Sequence, residues 1–160
     1  MKKILLFFLL LITLVINKSM IFAVEDTSST VSEDQIIEIG NDVHDLLNKR
    51  ALLWNELFCQ QSNLEDINEE LKKIVAPPLL TYDIEAFSEI KNGCTSMERI
   101  LKVDVLKVKD VEIGEKEITV DIEVEWLMEG FEKNYRENID YRMNLIKSNE
   151  IWKISDYKVI

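Results

Sequence analysis

Between Ile118 and Trp126 the chain alternates without a lapse. Ile118, Val120, Ile122, Val124 and Trp126 are apolar, and Thr119, Asp121, Glu123 and Glu125 between them are polar or acidic. A period of two sends successive side chains to opposite faces of an extended chain, so this segment is a strand with one face in a core and the other in water. Such a strand needs neighbours in a sheet, and the sheet needs a second layer over its apolar face only. β-Branched residues stay frequent from Ile100 to the end of the chain. A strand over about Leu101–Val111 is expected before a turn at Gly114, and another over about Tyr135–Ile146 after a turn at Gly130. The last, Ile151–Val159, follows a turn at Ser148 and Asn149. Four consecutive strands with short turns form an antiparallel meander.

The covering layer comes from the preceding residues, where the period is helical. Ser32 followed three residues later by Gln35 is a capping box and opens a helix of about 25 residues. Its apolar stripe is Ile36, Ile39, Val43, Leu46, Leu47, Trp54, Leu57 and Phe58, with a two-turn gap in which Arg50 and Ala51 occupy the same stripe. Ser62 with Glu65 repeats the capping signal ahead of Leu64, Ile67, Leu71, Ile74 and Val75, and this second helix must stop before Pro77 and Pro78. A third, shorter helix is expected from Asp83 as N-cap through Ile84, Phe87 and Ile90, closed by Asn92 and Gly93. The fold class is therefore α+β: three helices packed on one face of a curved four-stranded antiparallel sheet.

Ahead of this domain, Met1, Lys2 and Lys3 precede a run from Ile4 to Ile16 that is apolar except for Thr13. That is the layout of a signal peptide, with cleavage expected after Ala23; the alternative is an uncleaved anchor running through Phe22. Residues 24–31 are rich in Ser, Thr and acids and are expected to be a linker to the domain at 32–160. The segment implies export to the cell surface or beyond, and contact with a membrane only if it stays uncleaved. Removing residues 1–23 takes away Lys2, Lys3 and Lys18 and no acid, which leaves 16 basic against 30 acidic side chains and a net charge near −14. Nucleic acid is a poor partner for such a surface, because phosphate binding needs clustered Lys and Arg. Cys59 and Cys94 are the only cysteines. They allow one disulfide in an exported chain or two independent buried thiols, and their separation excludes a CxxC motif.

The stretch Tyr141, Arg142, Met143, Asn144, Leu145, Ile146, Lys147, Ser148, Asn149, Glu150, Ile151, Trp152, Lys153, Ile154 resembles the C-terminal hairpin of the nuclear transport factor 2-like (SnoaL-like, cystatin-like cone) superfamily. There a strand, a short polar turn and a Trp-Lys-Ile strand end the domain. The first helix, with Asn48, Lys49, Arg50 and Trp54 near its end, is similar to the opening helix of the same superfamily. The resemblance covers about residues 32–160. It implies a cone-shaped sheet wrapped around the long helix with a pocket at the open end. Enzymes of the superfamily place a Tyr, Asp or His inside that cone, whereas other members are adaptors or accessory domains with no reaction.

On the third strand Tyr135, Ile139, Tyr141, Met143 and Leu145 share a face with Glu137. The inward groups able to move a proton are then Glu137, Tyr135 and Tyr141, and Trp54, Trp126 and Tyr141 are candidates to line a ligand pocket. His44 is the only histidine and has no second ligand at metal spacing, so neither a metal nor a cofactor is implied. These features point to an exported, non-catalytic binding or accessory domain that engages a protein partner or a small apolar ligand. One alternative is an isomerase or dehydratase with Glu137 as base and Tyr135 or Tyr141 polarising a carbonyl. Another is an inhibitor or immunity protein for a basic partner. The charged outer face of the sheet, where Asp121, Glu123 and Glu125 stand beside Arg136 and Arg142, is a surface on which a homodimer could form.

Overall fold

The computed structural model describes residues 31–58, 62–93 and 98–160. The expected signal or anchor segment at 1–23, the linker up to Thr30, and both Cys59 and Cys94 lie outside the described residues.

Helix α1 (Glu33–Glu56) begins at the expected capping box. The Gln35 amide donates to Ser32 Oγ at 3.3 Å and the Ser32 amide to Gln35 Oε1 at 3.0 Å. Ile39, Val43, Leu46, Leu47, Ala51 and Leu53 form its buried stripe, which Leu57 continues. One side of α1 lies along the outer edge of strand β1 (Ile100–Ile113). Asn55 both donates to Ile100 O at 2.7 Å and accepts from Ile100 N at 2.9 Å, imitating a neighbouring strand. Two turns further back, Asn48 donates to Val103 O at 3.2 Å. At Gly40 a Cβ would stand 3.0 Å from Val108 Cγ2, so glycine lets helix and strand approach closely.

Helix α2 (Leu64–Ile74) is capped by Asn63, whose Oδ1 accepts from the Glu65 amide at 3.1 Å. Ser62 was the expected cap; Asn is an equally good one, and it stands immediately before the first buried turn. The chain then becomes extended at Val75, which bridges to Ile154, and the Ala76 amide donates to Ile154 O at 2.8 Å. Helix α3 (Leu79–Asn92) starts five residues earlier than expected, with Pro78 rather than Asp83 as N-cap, at φ −81° and ψ −20°. Proline is already set for a helix start and has no amide to leave unpaired, so no side-chain cap is needed there. Asp83 is therefore not a cap. It lies inside α3, 4% exposed.

Strands β1, β2 (Glu117–Met128), β3 (Tyr135–Ser148) and β4 (Ile151–Val159) form one antiparallel sheet in sequence order. In the β2–β3 register Ile118 faces Leu145, Val120 faces Met143, Ile122 faces Tyr141, Val124 faces Ile139 and Trp126 faces Glu137. Register shifts interrupt the β1–β2 ladder at three places and the β3–β4 ladder at one, and bulges of this kind bend and twist a sheet. The core lies between the helices and the inner sheet face, where Val103, Ile118, Val120, Ile122, Val124, Met143, Leu145 and Ile154 are all buried. The outer face carries the expected pairing of Arg142 and Arg136 with carboxylates of β2, and a further pair from Lys109 that was not expected. Arg142 grips Asp121 through two bonds of 2.7 Å, Arg136 reaches Glu125 at 3.4 Å, and Lys109 meets Asp140 at 2.5 Å. The β3–β4 turn falls on Asn149 and Glu150, both with positive φ, one residue later than expected.

Candidate functional site

The gap in the α1 stripe is filled by a charge. Arg50 turns inward, with its side chain 13% exposed, and holds Asp83 of α3 through both carboxylate oxygens: Nε to Oδ2 at 2.8 Å and Nη2 to Oδ1 at 2.5 Å. Its guanidinium also lies 5.6 Å from the ring centre of Tyr157 on β4. Burial by itself would lower the Arg50 pKa, but the Asp83 carboxylate and the Tyr157 hydroxyl outweigh it and the net shift is upward. The pair ties the long helix, the third helix and the last strand together at one end of the core.

From Tyr157 a chain of edge-to-face rings runs across the inner sheet face. Tyr157 meets Tyr141 at 5.6 Å and 86°, and Tyr141 meets Trp126 at 6.5 Å and 79°. These separations and angles suit aromatic quadrupoles. Tyr141 is buried, and burial first, then the neighbouring Tyr157, pushes its hydroxyl well above the usual tyrosine value. The Trp126 indole nitrogen is buried, and its N–H acts on the Tyr141 hydroxyl as a hydrogen-bond donor that pulls the tyrosine pKa down, although the alignment falls short of good hydrogen-bond geometry. Glu137, opposite Trp126 in the ladder, is half-buried and has neither a hydrogen bond nor an ion pair among the described residues.

The remaining residues expected to form a site sit nearby in different roles. Tyr135 donates its hydroxyl to the Glu98 carboxylate, and burial followed by this contact pushes its pKa up to about 12. Trp54 packs edge-on against Phe87 at 5.9 Å, and its indole donates to Glu98 O at 3.3 Å. The inner face thus brings Trp126, Tyr141 and Glu137 together, while Tyr135 and Trp54 both meet Glu98. His44 contacts Asn48 within α1 at 3.1 Å, and among the described residues no three of His, Cys, Asp and Glu converge as metal ligands. Arg50, Asp83 and Tyr157 were not anticipated as site residues. The one signal for them in the sequence was a charged residue standing on an apolar helical stripe.

No family model matches the chain, and no curated protein matches its sequence significantly. Among solved structures, it is similar to the intermembrane space region of chloroplast protein ARC6, with a TM-score of 0.52 and 15% identity over 76% of this chain and 95% of that one. A designed NTF2 protein aligns at a TM-score of 0.44 and 13% identity, over 79% of this chain and 97% of the other. An NTF2-like protein from Anabaena variabilis aligns at 0.35 and 12%, over 83% and 93%. The last two scores are too low to carry an argument, and at such identities a likeness speaks for the fold alone. The described residues thus have the expected α+β architecture, three helices on one face of a four-stranded antiparallel sheet, and share it with the ARC6 region as a likeness of fold.

Proposed function

We propose that residues 31–160 form a non-catalytic binding domain, exported by the apolar segment at 1–23, that receives a small apolar ligand against the inner sheet face beside Trp126 and Tyr141. The observation that carries this reading is the fate of the polar groups on that side of the sheet. Arg50 is bound to Asp83, and Tyr135 to Glu98, so neither of these side chains is free to polarise a substrate. What is left is an aromatic wall of Tyr157, Tyr141 and Trp126 with one carboxylate, Glu137, at its border. A surface of that composition favours burial of an apolar body over proton transfer, because general acid–base chemistry needs a positioned acid and base poised near the working pH.

The test is a titration of the protein, expressed full length and purified in the form the cell leaves it, with a hydrophobic fluorescent probe while its mass in solution is recorded. Saturable binding to a monomer, weakened by Trp126→Ala in a variant that keeps its circular dichroism, is the expected result. A monomer that binds no probe overturns the reading. So does a stable dimer that excludes the probe, which would instead favour a protein-interaction module.

A further inference from the structure

Two polar groups on the inner sheet face are incompletely satisfied. The Trp126 indole N–H is buried with only a poorly aligned contact to the Tyr141 hydroxyl, and the Glu137 carboxylate, directly across the β2–β3 ladder, is half-buried without a hydrogen bond or ion pair among the described residues. Facing positions of an antiparallel pair hold their Cβ atoms roughly 5 Å apart, so the two side chains are neighbours on one face of the sheet. Glu137 raises the pKa of both Tyr135 and Tyr141, which puts its charge within electrostatic reach of both rings. Buried polar groups are nearly always paired, and a carboxylate held partly out of water beside aromatic rings calls for a cation.

We propose that the site bordered by Trp126, Tyr141 and Glu137 takes an organic cation with an apolar body, such as a substituted ammonium. This rests on the ligand-binding reading above and names the class of ligand. Each part of the site contributes a separate attraction. The Trp126 and Tyr141 rings present π-electron density, which attracts an ammonium group within about 6 Å of a ring centre. Glu137 adds a full opposite charge. Arg50, the cation that reaches the same aromatic chain from the helix side, is neutralised by Asp83 and does not repel a second positive charge as a free guanidinium would. The surrounding field has the same sense, since the chain carries a net charge of −11 and draws cations toward it.

A matched pair of probes separates this inference from the reading beneath it. Benzyltrimethylammonium and neopentylbenzene have nearly the same shape and differ by one positive charge. Binding of each to the purified protein is followed by the nuclear magnetic resonance shift of the Trp126 indole N–H. The cation is expected to bind about tenfold tighter than its neutral isostere, the order of effect of a desolvated cation–π contact. Glu137→Gln should reduce that preference several-fold, leaving the part owed to the rings, and leave the neutral probe unchanged, whereas Glu123→Gln on the outer face should change neither. Equal binding of the two probes overturns the cation assignment and leaves the ligand site standing. Failure of both to bind overturns the site as well. A preference unchanged by Glu137→Gln, or reduced equally by Glu123→Gln, overturns the role given to Glu137.

Discussion

A guanidinium inside an apolar stripe is stable only if its hydrogen-bonding geometry makes up for lost hydration, and Arg50 achieves this with a two-point grip on Asp83. Removing one partner should therefore be far worse than removing both. Asp83→Asn leaves a buried cation without its counter-charge and is expected to destabilise by about 3–5 kcal/mol. The double change Arg50→Met with Asp83→Leu replaces the pair with apolar volume and should recover most of that loss. Urea unfolding of the single and double variants measures both numbers, and additive losses would show that the pair acts as two independent contacts. The sequence made Arg50 conspicuous as a break in the periodicity of α1. It could not reveal the partner, because an Asp shortly after two prolines is equally well explained as an N-cap. Only the three-dimensional path of Pro77 and Pro78 places Asp83 one turn inside the helix and under Arg50.

Helix α1 does more than cover the inner face of the sheet, since it also closes the outer edge of β1. The Asn55 side chain satisfies the backbone N–H and C=O of Ile100, and Asn48 satisfies the C=O of Val103. An edge strand closed in this way is less available to pair with other chains. Asn55→Ala should cost about 1–3 kcal/mol, because it leaves partly buried backbone groups unpaired. Hydrogen exchange provides a second readout: the Ile100 amide should lose protection in the variant while amides of the β2–β3 ladder keep theirs. No periodicity argument could show this contact, since asparagine on a helix surface reads as a solvated residue whichever neighbour it meets. The β3–β4 turn has a local signature that is easier to act on. Asn149 and Glu150 have φ of 51° and 64°, a left-handed pair that suits Asn at the first position and Gly at the second. A glutamate there is strained, so Glu150→Gly should raise Tm by about 2–4 °C, despite loss of the exposed Lys147 contact at 2.7 Å. A scanning calorimetry trace with an unchanged or lower midpoint would show that the turn relaxes by another route.

For the molecule as a whole, the change of period was enough to read the architecture. Helical spacing up to Ile90 and alternation after Ile118 identified the layers, and the acid-and-base face of β2 and β3 told which side of the sheet the helices leave bare. The inner-face neighbours of Glu137 on its own strand were legible for the same reason, because alternation along β3 fixes them. The aromatic chain through Tyr157 was not, since β4 is short and its ladder with β3 contains a register shift between Asn144 and Leu145. Charge is the other property set by the whole chain, and it predicts how stability responds to solution conditions. At neutral pH the net charge of −11 makes the folded state repel itself, a penalty that salt screens and that shrinks as the pH falls toward the isoelectric point near 4.6. Asp42 shows the effect locally: burial, then Glu38 and Asp45, push its carboxyl above the ordinary value, so its ionised form opposes folding. Asp121 works in the other direction. Its bonds to Arg142 hold its carboxyl below the ordinary 3.8, so the stability it contributes is fully present above that value and is lost as the pH falls through the lower folded one. Tm measured against pH should therefore peak on the acid side of neutrality, above the range in which Asp121 takes up its proton. Raising salt from about 0.01 to 0.5 M should lift Tm at pH 7, where the charge is large, and have little effect near the isoelectric point. A Tm that falls with salt at pH 7 would mean that the outer-face pairs, Arg142 with Asp121 above all, outweigh the self-repulsion of the acidic chain.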